Sequence, residues 1–315
     1  MKNRKHVLIS TCLPVLLAAA VGAVAQEPEE PFARRIELGA GGELYVSNIS
    51  GEIRVAGTGG RELVIEAVKR LHGDADRSLF DEVEIDISEV GNRVRVETRY
   101  PRGGHRGHHR GGVSVDYRIS LPRDADVEAT SVSGDITVES IEGAVRAGSV
   151  SGSVTASDVT NLVEAKSVSG DVDVRNASSA RDARIESVSG DVTIDGLETR
   201  ELEVQSVSGD VRVDSVSSER GTLSSTSGDI RYTGRIAPGG RYEFKTHSGD
   251  VVLAIGDDVG FELEATTFSG DIDSAFQMRV TSTDRSGRKL TGVVGDGSAL
   301  IEATTFSGDV RIRSR

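Results

Sequence analysis

The stretch Ser206-Val207-Ser208-Gly209-Asp210-Val211 decides the fold, because it is one copy of a pattern that recurs through most of the chain. Ser-Gly-Asp begins at Ser133, Ser169, Ser189, Ser208, Ser227, Ser248, Ser269 and Ser307, with near-copies at Ser50 (Ser-Gly-Glu) and Ser151 (Ser-Gly-Ser). From Gly134 to Gly270 successive glycines of the pattern are 18 to 21 residues apart, and Gly308 follows after 38. A fixed period of this length indicates stacked supersecondary units.

Each copy is predicted to turn a corner between two short strands. Leu202 and Val204 alternate with polar residues, but the next apolar positions, Val207 and Val211, change phase near Ser206. A straight strand cannot do this, so a corner with Val207 directed inward is predicted. The glycine would supply clearance or an unusual backbone angle, and the aspartate would accept a backbone N–H of its turn. The predicted structural turn glycines are Gly134, Gly170, Gly190, Gly209, Gly228, Gly249, Gly270 and Gly308.

Stacking such units predicts an all-β fold, a single-stranded, parallel β-helix-like β-solenoid of ~19-residue coils. Two regions interrupt the period, residues 56–125 and 277–294, and alternate as antiparallel hairpins do. A solenoid needs its end layers covered, so these hairpin insertions near both ends are predicted caps, the second one projecting from the stack. The final copy, Thr304–Val310, is predicted to close the stack.

The N-terminus predicts export. Residues 1–25 contain a basic start, an apolar run from Val7 to Ala20 and the small-residue site Ala23-Val24-Ala25, as a signal peptide does. A membrane anchor is disfavoured, because the run is shorter than the ~20 residues of a spanning helix. The predicted division is 1–25 signal peptide, 26–31 flexible lead-in, 32–125 first coil plus β-hairpin region, and 126–315 Ser-Gly-Asp solenoid with C-terminal hairpin and closing coil.

Composition narrows the partners. The 315 residues carry a net charge of −13, which becomes −16 when Lys2, Arg4 and Lys5 leave with the signal peptide. An acidic surface repels phosphate backbones, so no nucleic-acid partner is expected. Cys12 is the only cysteine and lies in the signal segment, so no disulfide is expected. With 4% aromatic residues and no Trp, a narrow core of Val, Ile, Leu and Ala is predicted.

A column of carboxylates follows from the repeat. The cation candidates are Asp171, Asp191, Asp210, Asp229, Asp250 and Asp271. Stacked like charges at ~4 Å repel by ~1 kcal/mol even in water, so either a cation lies among them or each carboxylate is engaged by its own turn. The calcium-binding nonapeptide pattern is absent, which favours the turn and predicts neither metal nor cofactor.

Two further features have structural and functional interpretations. The serine rows suit a tight bend better than an ordered-water face. The residue between the two serines drifts from valine to Thr226, His247, Phe268 and Phe306, which predicts an inward column in a core that widens toward the C-terminus, with His247 packed and not catalytic.

Residues 101–112 (PRGGHRGHHRGG) form a basic loop on an acidic chain. Its histidines and arginines are His105, His108, His109, Arg102, Arg106 and Arg110. A mobile surface loop is favoured over a zinc or copper site, because no local carboxylate or thiol completes a ligand set. Contact with anionic glycans or lipid headgroups stays an alternative.

The motifs LYVSNISGEIRVAG, VEIDISEVGNRVRVETRYP and VSVDYRISLP, the SVSGDV coils and the terminal GDGSALIEATTFSGDVRI together resemble the bacterial putative adhesin family, also called the toast-rack domain. The resemblance covers roughly residues 32–315. It implies a β-solenoid of the cell envelope, with no catalytic residues to carry over. Ser151-Gly152-Ser153 departs from the pattern, so an aspartate is not needed in every coil.

These observations predict a non-enzymatic exported β-solenoid, acting as a binding, adhesion-like or scaffolding module. It would be periplasmic or secreted to the cell surface, not an integral membrane protein, and would bind an unknown envelope or surface ligand, protein or glycan. A β-helix polysaccharide-degrading enzyme and a calcium-dependent adhesin are the alternatives.

Overall fold

The computed structural model describes residues 29–73, 76–100, 112–256, 258–284 and 287–315, over which the chain is almost entirely β-strand. The elements in chain order are β1 (Glu29–Glu37), β2 (Glu43–Ser50), β3 (Ile53–Thr58), β4 (Glu62–His72), α1 (Leu79–Glu82), β5 (Glu84–Val90), β6 (Arg93–Arg99), β7 (Gly112–Pro122), β8 (Asp126–Ser133), β9 (Ile136–Glu139), β10 (Ala144–Ser151), β11 (Val154–Val159), β12 (Asn161–Ser169), β13 (Val172–Ser178), β14 (Asp182–Ser189), β15 (Val192–Glu198), β16 (Glu201–Ser208), β17 (Val211–Ser227), β18 (Ile230–Ser248), β19 (Val251–Ile255), β20 (Phe261–Ser269), β21 (Ile272–Ser274), β22 (Arg279–Thr283), β23 (Lys289–Val294), β24 (Ala299–Ser307) and β25 (Val310–Ser314).

Each coil consists of an incoming strand, the Ser-Gly-Asp corner and an outgoing strand. In one coil, β14 enters the corner at Gly190 and β15 leaves it, and β16 then begins the next incoming strand. Incoming strands pair in parallel with the incoming strands above and below, so that Ser187 lies opposite Ser206 and Ser189 opposite Ser208. Outgoing strands do the same, as β13, β15 and β17 show. The predicted all-β solenoid with a corner at each Ser-Gly-Asp is confirmed.

Coil order in space follows chain order at the N-terminal end and departs from it at the C-terminal end. The isolated first copy, β2 and β3, stacks directly on the coil formed by β8 and β9. The last copy does not close the stack as predicted. Strand β24 instead lies between β18 and β20, and β25 lies between β19 and β21. The coil of Gly270 is therefore the outermost one, and the coil of Gly308 is inserted beneath it.

Strands of the interrupted regions cover both ends of the stack in antiparallel pairs, as predicted. At the N-terminal end β6 pairs in parallel with β2 on the incoming face and carries β5 antiparallel to it. On the outgoing face β7 pairs in parallel with β3, and β4 joins β7 and β1 in antiparallel pairs. At the other end β23 pairs antiparallel with β20, and β22 pairs with β23. The second hairpin thus extends the strand row and does not project from it.

The core is a narrow column of aliphatic side chains between the incoming and outgoing strands. Every second residue faces it, as with Leu202, Val204, Val211 and Val213, all fully buried. Burying such side chains stabilises by roughly 1.5–3 kcal/mol each. The core does widen toward the C-terminus, but through strand residues that sequence reasoning did not single out. They are Tyr232, Tyr242, Phe244 and Phe261, all buried.

Helical structure is minimal in the described ranges. The segment Asp74–Phe80 is predicted as a short helix or turn, and in its described part, from residue 76 on, the four-residue helix α1 begins at Leu79. No helix in this part of the chain has the length and apolar character to cross a membrane.

Candidate functional site

The corner is closed so tightly that only glycine fits at its centre. A Cβ added to Gly190 would come within 2.3 Å of the carbonyl oxygen of Gly170 in the preceding coil, and a Cβ on Gly249 within 2.2 Å of that of Gly228. Contacts below 3.0 Å to backbone atoms force the backbone to shift. The same holds at each predicted turn glycine, with a nearest carbonyl oxygen at 2.0 to 2.4 Å: Gly134, Gly170, Gly190, Gly209, Gly228, Gly249, Gly270 and Gly308. The structure thus places all eight at the corner, where clearance between coils is what requires them.

The first serine of each corner bridges coils. Ser167 is buried, and its hydroxyl donates to the carbonyl oxygen of Gly152 in the preceding coil at 2.8 Å. The equivalent donors are Ser149, Ser187, Ser206, Ser225, Thr246, Thr305 and Thr267, each bonded to a corner glycine. These hydrogen bonds let a polar side chain occupy a core-facing position at little cost.

In the first coil an asparagine occupies the position of the hydrogen-bonding serine. The Asn48 amide donates to the carbonyl oxygens of Ser50, Gly51 and Val115. Because Gly51 is the acceptor that Ser131 would otherwise use, the buried Ser131 hydroxyl has no hydrogen-bond partner in the described ranges.

The aspartates form a second series of hydrogen bonds between coils. The prediction that each aspartate accepts a backbone N–H of its own turn is therefore wrong. Oδ1 of Asp191 accepts the backbone N–H of Asp210 at 2.8 Å, and Oδ1 of Asp210 accepts that of Asp229 at 2.9 Å. The remaining rungs run from the carboxylates of Asp135, Asp171, Asp229, Asp250 and Asp309 to the next coil. We call this series the aspartate ladder. It turns a row of like charges into acceptors for backbone N–H groups.

Arginines neutralise the C-terminal part of the aspartate ladder. Arg231 contacts the Oδ2 atoms of Asp210 at 3.3 Å and Asp229 at 2.7 Å. Arg311 does the same for Asp250, at 2.6 Å, and for Asp309. Among the described residues, no group of three or more His, Cys, Asp or Glu side chains is arranged to hold a metal ion. Two guanidinium groups of the chain itself thus lie beside four carboxylates of the ladder.

The pKa of Asp250 lies below its ordinary value of 3.8, chiefly because its carboxylate accepts the backbone N–H of Asp309 and secondly because Arg311 contacts it. A carboxyl group whose pKa falls on folding stabilises the fold above its ordinary pKa. That contribution is lost as the pH falls through the folded value, so the ladder is sensitive to acid and not to alkali at this rung.

The residue between the two serines faces solvent, so its predicted inward placement is wrong. Val207 is 50% exposed, while the preceding Ser206 is 4% exposed and faces the core. The apolar alternation therefore continues straight through Ser206, and the corner lies three residues later at Gly209. Strand register aligns ten such residues in one row along the stack. In spatial order this row, which we call the ridge, is Ile49, Val132, Val150, Val168, Val188, Val207, Thr226, His247, Phe306 and Phe268.

Three stacked rings end the ridge. Phe306 lies between His247, with ring centroids 4.9 Å apart, and Phe268, with centroids 4.6 Å apart and planes 4° from parallel. Phe268 is 61% exposed. His247 is thus not an internal packing residue but one member of an exposed stack. The inserted last copy creates this stack, because it brings Phe306 between two coils that are consecutive in the chain.

An open groove of about 640 Å³ runs beside these rings. It begins at Val207 and passes the small side chains of Ser224 and Thr226 before reaching Phe306 and Phe268. Its volume and its mixture of aromatic and hydroxyl groups are those of ligand sites in proteins. The groove and the ridge are the surface on which a binding function has to be built.

Sequence reasoning missed the stack although a signal for it was present. The octapeptide Glu-Ala-Thr-Thr-Phe-Ser-Gly-Asp occurs twice, at 264–271 and 302–309. Identical neighbours suit adjacent layers, but nothing in the pattern tells which copy lies outside.

Two predicted features fall outside the described ranges. They are the signal peptide at residues 1–25 and the His/Arg loop, of which only Gly112 is described.

The family follows from a match over most of this architecture. The model of the family described as Toastrack DUF4097 matches residues 53–313. The chain belongs to the Toastrack DUF4097 family. The matched range runs from the first outgoing strand to the last, so the predicted toast-rack resemblance is confirmed. The aspartate ladder and all of the ridge except Ile49 lie within the matched range.

Several solved structures resemble this toast-rack chain at low identity. A putative adhesin from Bacteroides fragilis is 12% identical, with 91% of this chain and 97% of that one covered and a TM-score of 0.43. A putative adhesin from Parabacteroides merdae is 12% identical, with coverages of 90% and 96% and a TM-score of 0.41. A putative lipid binding protein from Parabacteroides distasonis is 11% identical, with coverages of 90% and 96% and a TM-score of 0.39. No curated protein matches the chain.

Proposed function

We propose that this toast-rack protein is a non-enzymatic binding module of the bacterial cell envelope, with an adhesion-like or scaffolding role, and that the ridge is its contact surface. The ridge is the single observation that carries the proposal. It places ten side chains in one exposed row, and eight of them are Ile, Val or Phe. Contiguous apolar surface of this kind marks sites of interaction.

Folding does not require those hydrophobic side chains. Thr226 and His247 occupy the same position in their coils, and the hydroxyls beneath them, of Ser225 and Thr246, still bond to the preceding glycines. A polar residue on the ridge therefore leaves the corner intact. The valines and phenylalanines therefore expose apolar surface that the bonds of the corner do not require, which supports a role in contacting a ligand.

The location of the protein is part of the proposal. Residues 1–25 have the basic start, apolar run and cleavage site of a signal peptide, so we place the mature chain in the periplasm or at the cell surface. A stack of coils presents a long regular surface, which suits attachment or scaffolding. Sequencing of the exported protein should find Gln26 at its N-terminus.

The carboxylates of the repeat support a non-enzymatic role. A polysaccharide-degrading enzyme needs free carboxyl groups, and a calcium-dependent adhesin needs several that converge on one ion. In the aspartate ladder each Oδ1 accepts a backbone N–H, as Asp191 does from Asp210.

Co-sedimentation of the purified protein with envelopes isolated from the producing bacterium tests the proposal. The triple variant Val150→Ser, Val168→Ser, Val188→Ser makes the middle of the ridge polar. We expect it to weaken binding about tenfold, ~1.4 kcal/mol. The matched control is Val90→Ser with Val280→Ser, two exposed valines outside the ridge. Equal binding by the ridge variant and the natural protein would remove the ridge from the proposal.

A further inference from the structure

The aromatic end of the ridge has a chemistry that the valine part lacks. Two rows of side chains run side by side there. One is the ring stack of His247, Phe306 and Phe268. The other consists of residues two positions earlier on the same incoming strands. That row is Gln205, Ser224, Lys245, Thr304 and Thr266.

The two rows face the same side. Side chains at i and i+2 of a strand point in one direction, so Thr304 lies beside Phe306 and Thr266 beside Phe268. The rows run along the stack, with one residue of each per layer of ~4.8 Å. The groove therefore offers apolar ring edges along one wall and hydroxyl or amide groups along the other, repeated at a fixed interval. A linear polymer with a regular repeat can meet both rows at once.

The charges in and around the groove restrict which class of polymer can bind there. Lys245 is the only permanently charged residue lining the groove, and its ammonium group contacts the carboxylate of Glu243. No carboxylate lines the groove, and the whole chain is acidic, with a net charge of −13. An anionic polymer would meet repulsion from the chain, and a cationic one would find no partner inside the groove.

Hydrogen bonding limits it further. An acyl chain would cover the hydroxyls of Ser224, Thr266 and Thr304 without bonding to them, which costs free energy. A peptide could not bind in the groove by strand addition, because β18 and β24 already pair on both sides. A neutral sugar chain has C–H groups for the rings and hydroxyls for the polar row.

We infer that the groove between the ring stack and the Ser224–Thr304–Thr266 row binds a neutral glycan chain lying along the stacking axis. This inference rests on the proposed binding function and names its ligand class. Phe306 and Phe268 would contact sugar C–H groups, and the threonines would exchange hydrogen bonds with sugar hydroxyls.

Isothermal titration tests the inference with four probes at about 1 mM, the weak end of specific recognition. The probes are cellohexaose, chitohexaose, an acidic oligogalacturonate and phosphatidylcholine vesicles. We expect heat from at least one neutral oligosaccharide and none from the acidic oligomer or the vesicles. Phe306→Ala should weaken that binding about tenfold or more. Thr304→Val, which keeps the shape and removes the hydroxyl, should weaken it several-fold.

The matched control is Val90→Ala, an exposed valine outside the ridge and the groove, which should leave glycan affinity within about twofold. Phe306 and Val90 are both exposed, so thermal melting should show both variants folded. Lack of binding by both neutral probes, stronger binding of the acidic oligomer or the vesicles, or an unchanged affinity in Phe306→Ala would overturn the inference. So would self-association of the natural protein that Phe306→Ala abolishes in sedimentation.

Co-sedimentation separates this inference from the proposed function. If ridge variants lose envelope binding while neither neutral glycan binds, the binding module stands and the glycan class is wrong. If envelope binding ignores the ridge but a neutral glycan binds through Phe306, the groove stands and the ridge-wide proposal fails.

Discussion

The ridge has two parts that share one inner construction and differ in outward chemistry. From Val132 to Val207 it presents valine in every coil, whereas from His247 onward it presents rings. Beneath both parts the same bonds join the coils. Ser167 reaches Gly152 at 2.8 Å in the valine part, and Thr305 reaches Gly249 at 2.9 Å in the aromatic part.

This comparison separates what the fold demands from what it leaves open. The corner fixes a glycine at the point of closest approach, because a Cβ has no room there. It fixes a hydrogen-bonding residue facing in, because that side chain donates to a backbone carbonyl oxygen of a neighbouring strand. The outward residue between the two serines touches solvent, so its identity is free to serve a ligand. The two parts should therefore respond alike to inner substitutions and differently to outer ones.

The largest effect is expected from adding a methyl group to the corner glycine. Gly190→Ala in the valine part and Gly249→Ala in the aromatic part would each place Cβ against a glycine carbonyl oxygen of the preceding coil. Separating two coils costs about 3 kcal/mol of unfolding free energy, and we expect a similar loss in both parts. Urea unfolding of both variants measures this loss of unfolding free energy.

Gly59→Ala is the matched control, since no heavy atom lies within 4 Å of an added Cβ there. Its unfolding free energy should change by no more than about 0.5 kcal/mol. A cost at Gly249 much smaller than at Gly190 would show that the inner construction is not shared after all.

Much of this inner construction was predictable from the sequence. The period between glycines located every corner, and apolar alternation located the strands on either side, as at Leu202 and Val211. The antiparallel caps followed from breaks in the period. These features are local, since each depends on residues close together in the chain.

Two features were not predictable, for physical reasons. The inward direction predicted for Val207 is wrong because the apolar pattern treats a serine as solvent-facing. Ser206 is buried instead, and it is tolerated there only through its hydrogen bond to the carbonyl oxygen of Gly190 in another coil. The place of the last copy was wrong because stacking energy is nearly the same for any two coils with one corner sequence. The order of the coils in space is set by the path that the chain takes between residues 256 and 298.

The next largest effect should come from the aspartate ladder, and it should distinguish the two parts. Asp191→Asn keeps an acceptor for the Asp210 N–H but removes the charge, with an expected loss of about 1 kcal/mol. In the aromatic part, Asp250→Asn keeps an acceptor for the Asp309 N–H but also breaks the contact with Arg311, so we expect about 1.5 kcal/mol. Thermal or urea unfolding should give the same losses in excess calcium and in excess chelator.

Asp195→Asn serves as the control, because this exposed carboxylate lies outside the ladder. It should change stability by less than about 0.5 kcal/mol. A calcium-dependent loss at Asp191 would restore the cation interpretation of the column and contradict the hydrogen-bond account.

A smaller effect is expected from the buried hydroxyls, and the chain contains its own control. Ser167→Ala removes the donor to the Gly152 carbonyl oxygen and should cost about 1 kcal/mol. Ser131→Ala removes an equally buried hydroxyl that has no partner in the described ranges, so it should be neutral or slightly stabilising. Equal losses in urea unfolding would mean that packing, not the bond between coils, explains the serines.

The smallest effect should come from supplying a missing rung. Asp135 accepts the N–H of Ser153, but Ser153 has no carboxylate to offer the N–H of Asp171 in the next coil. Ser153→Asp would complete the ladder through the valine part. The new hydrogen bond favours folding by ~1 kcal/mol, while repulsion from two neighbouring carboxylates opposes it by a similar amount in water. Because salt screens the repulsion more than the bond, a net gain of ~0.5 kcal/mol is expected at high ionic strength and little or none at low ionic strength.

Thr155→Asp, two residues further on, adds the same charge without an N–H to accept, so it should give no gain in urea unfolding at either ionic strength. If Ser153→Asp behaved in the same way, the aspartates would be tolerated at the corner and not stabilising.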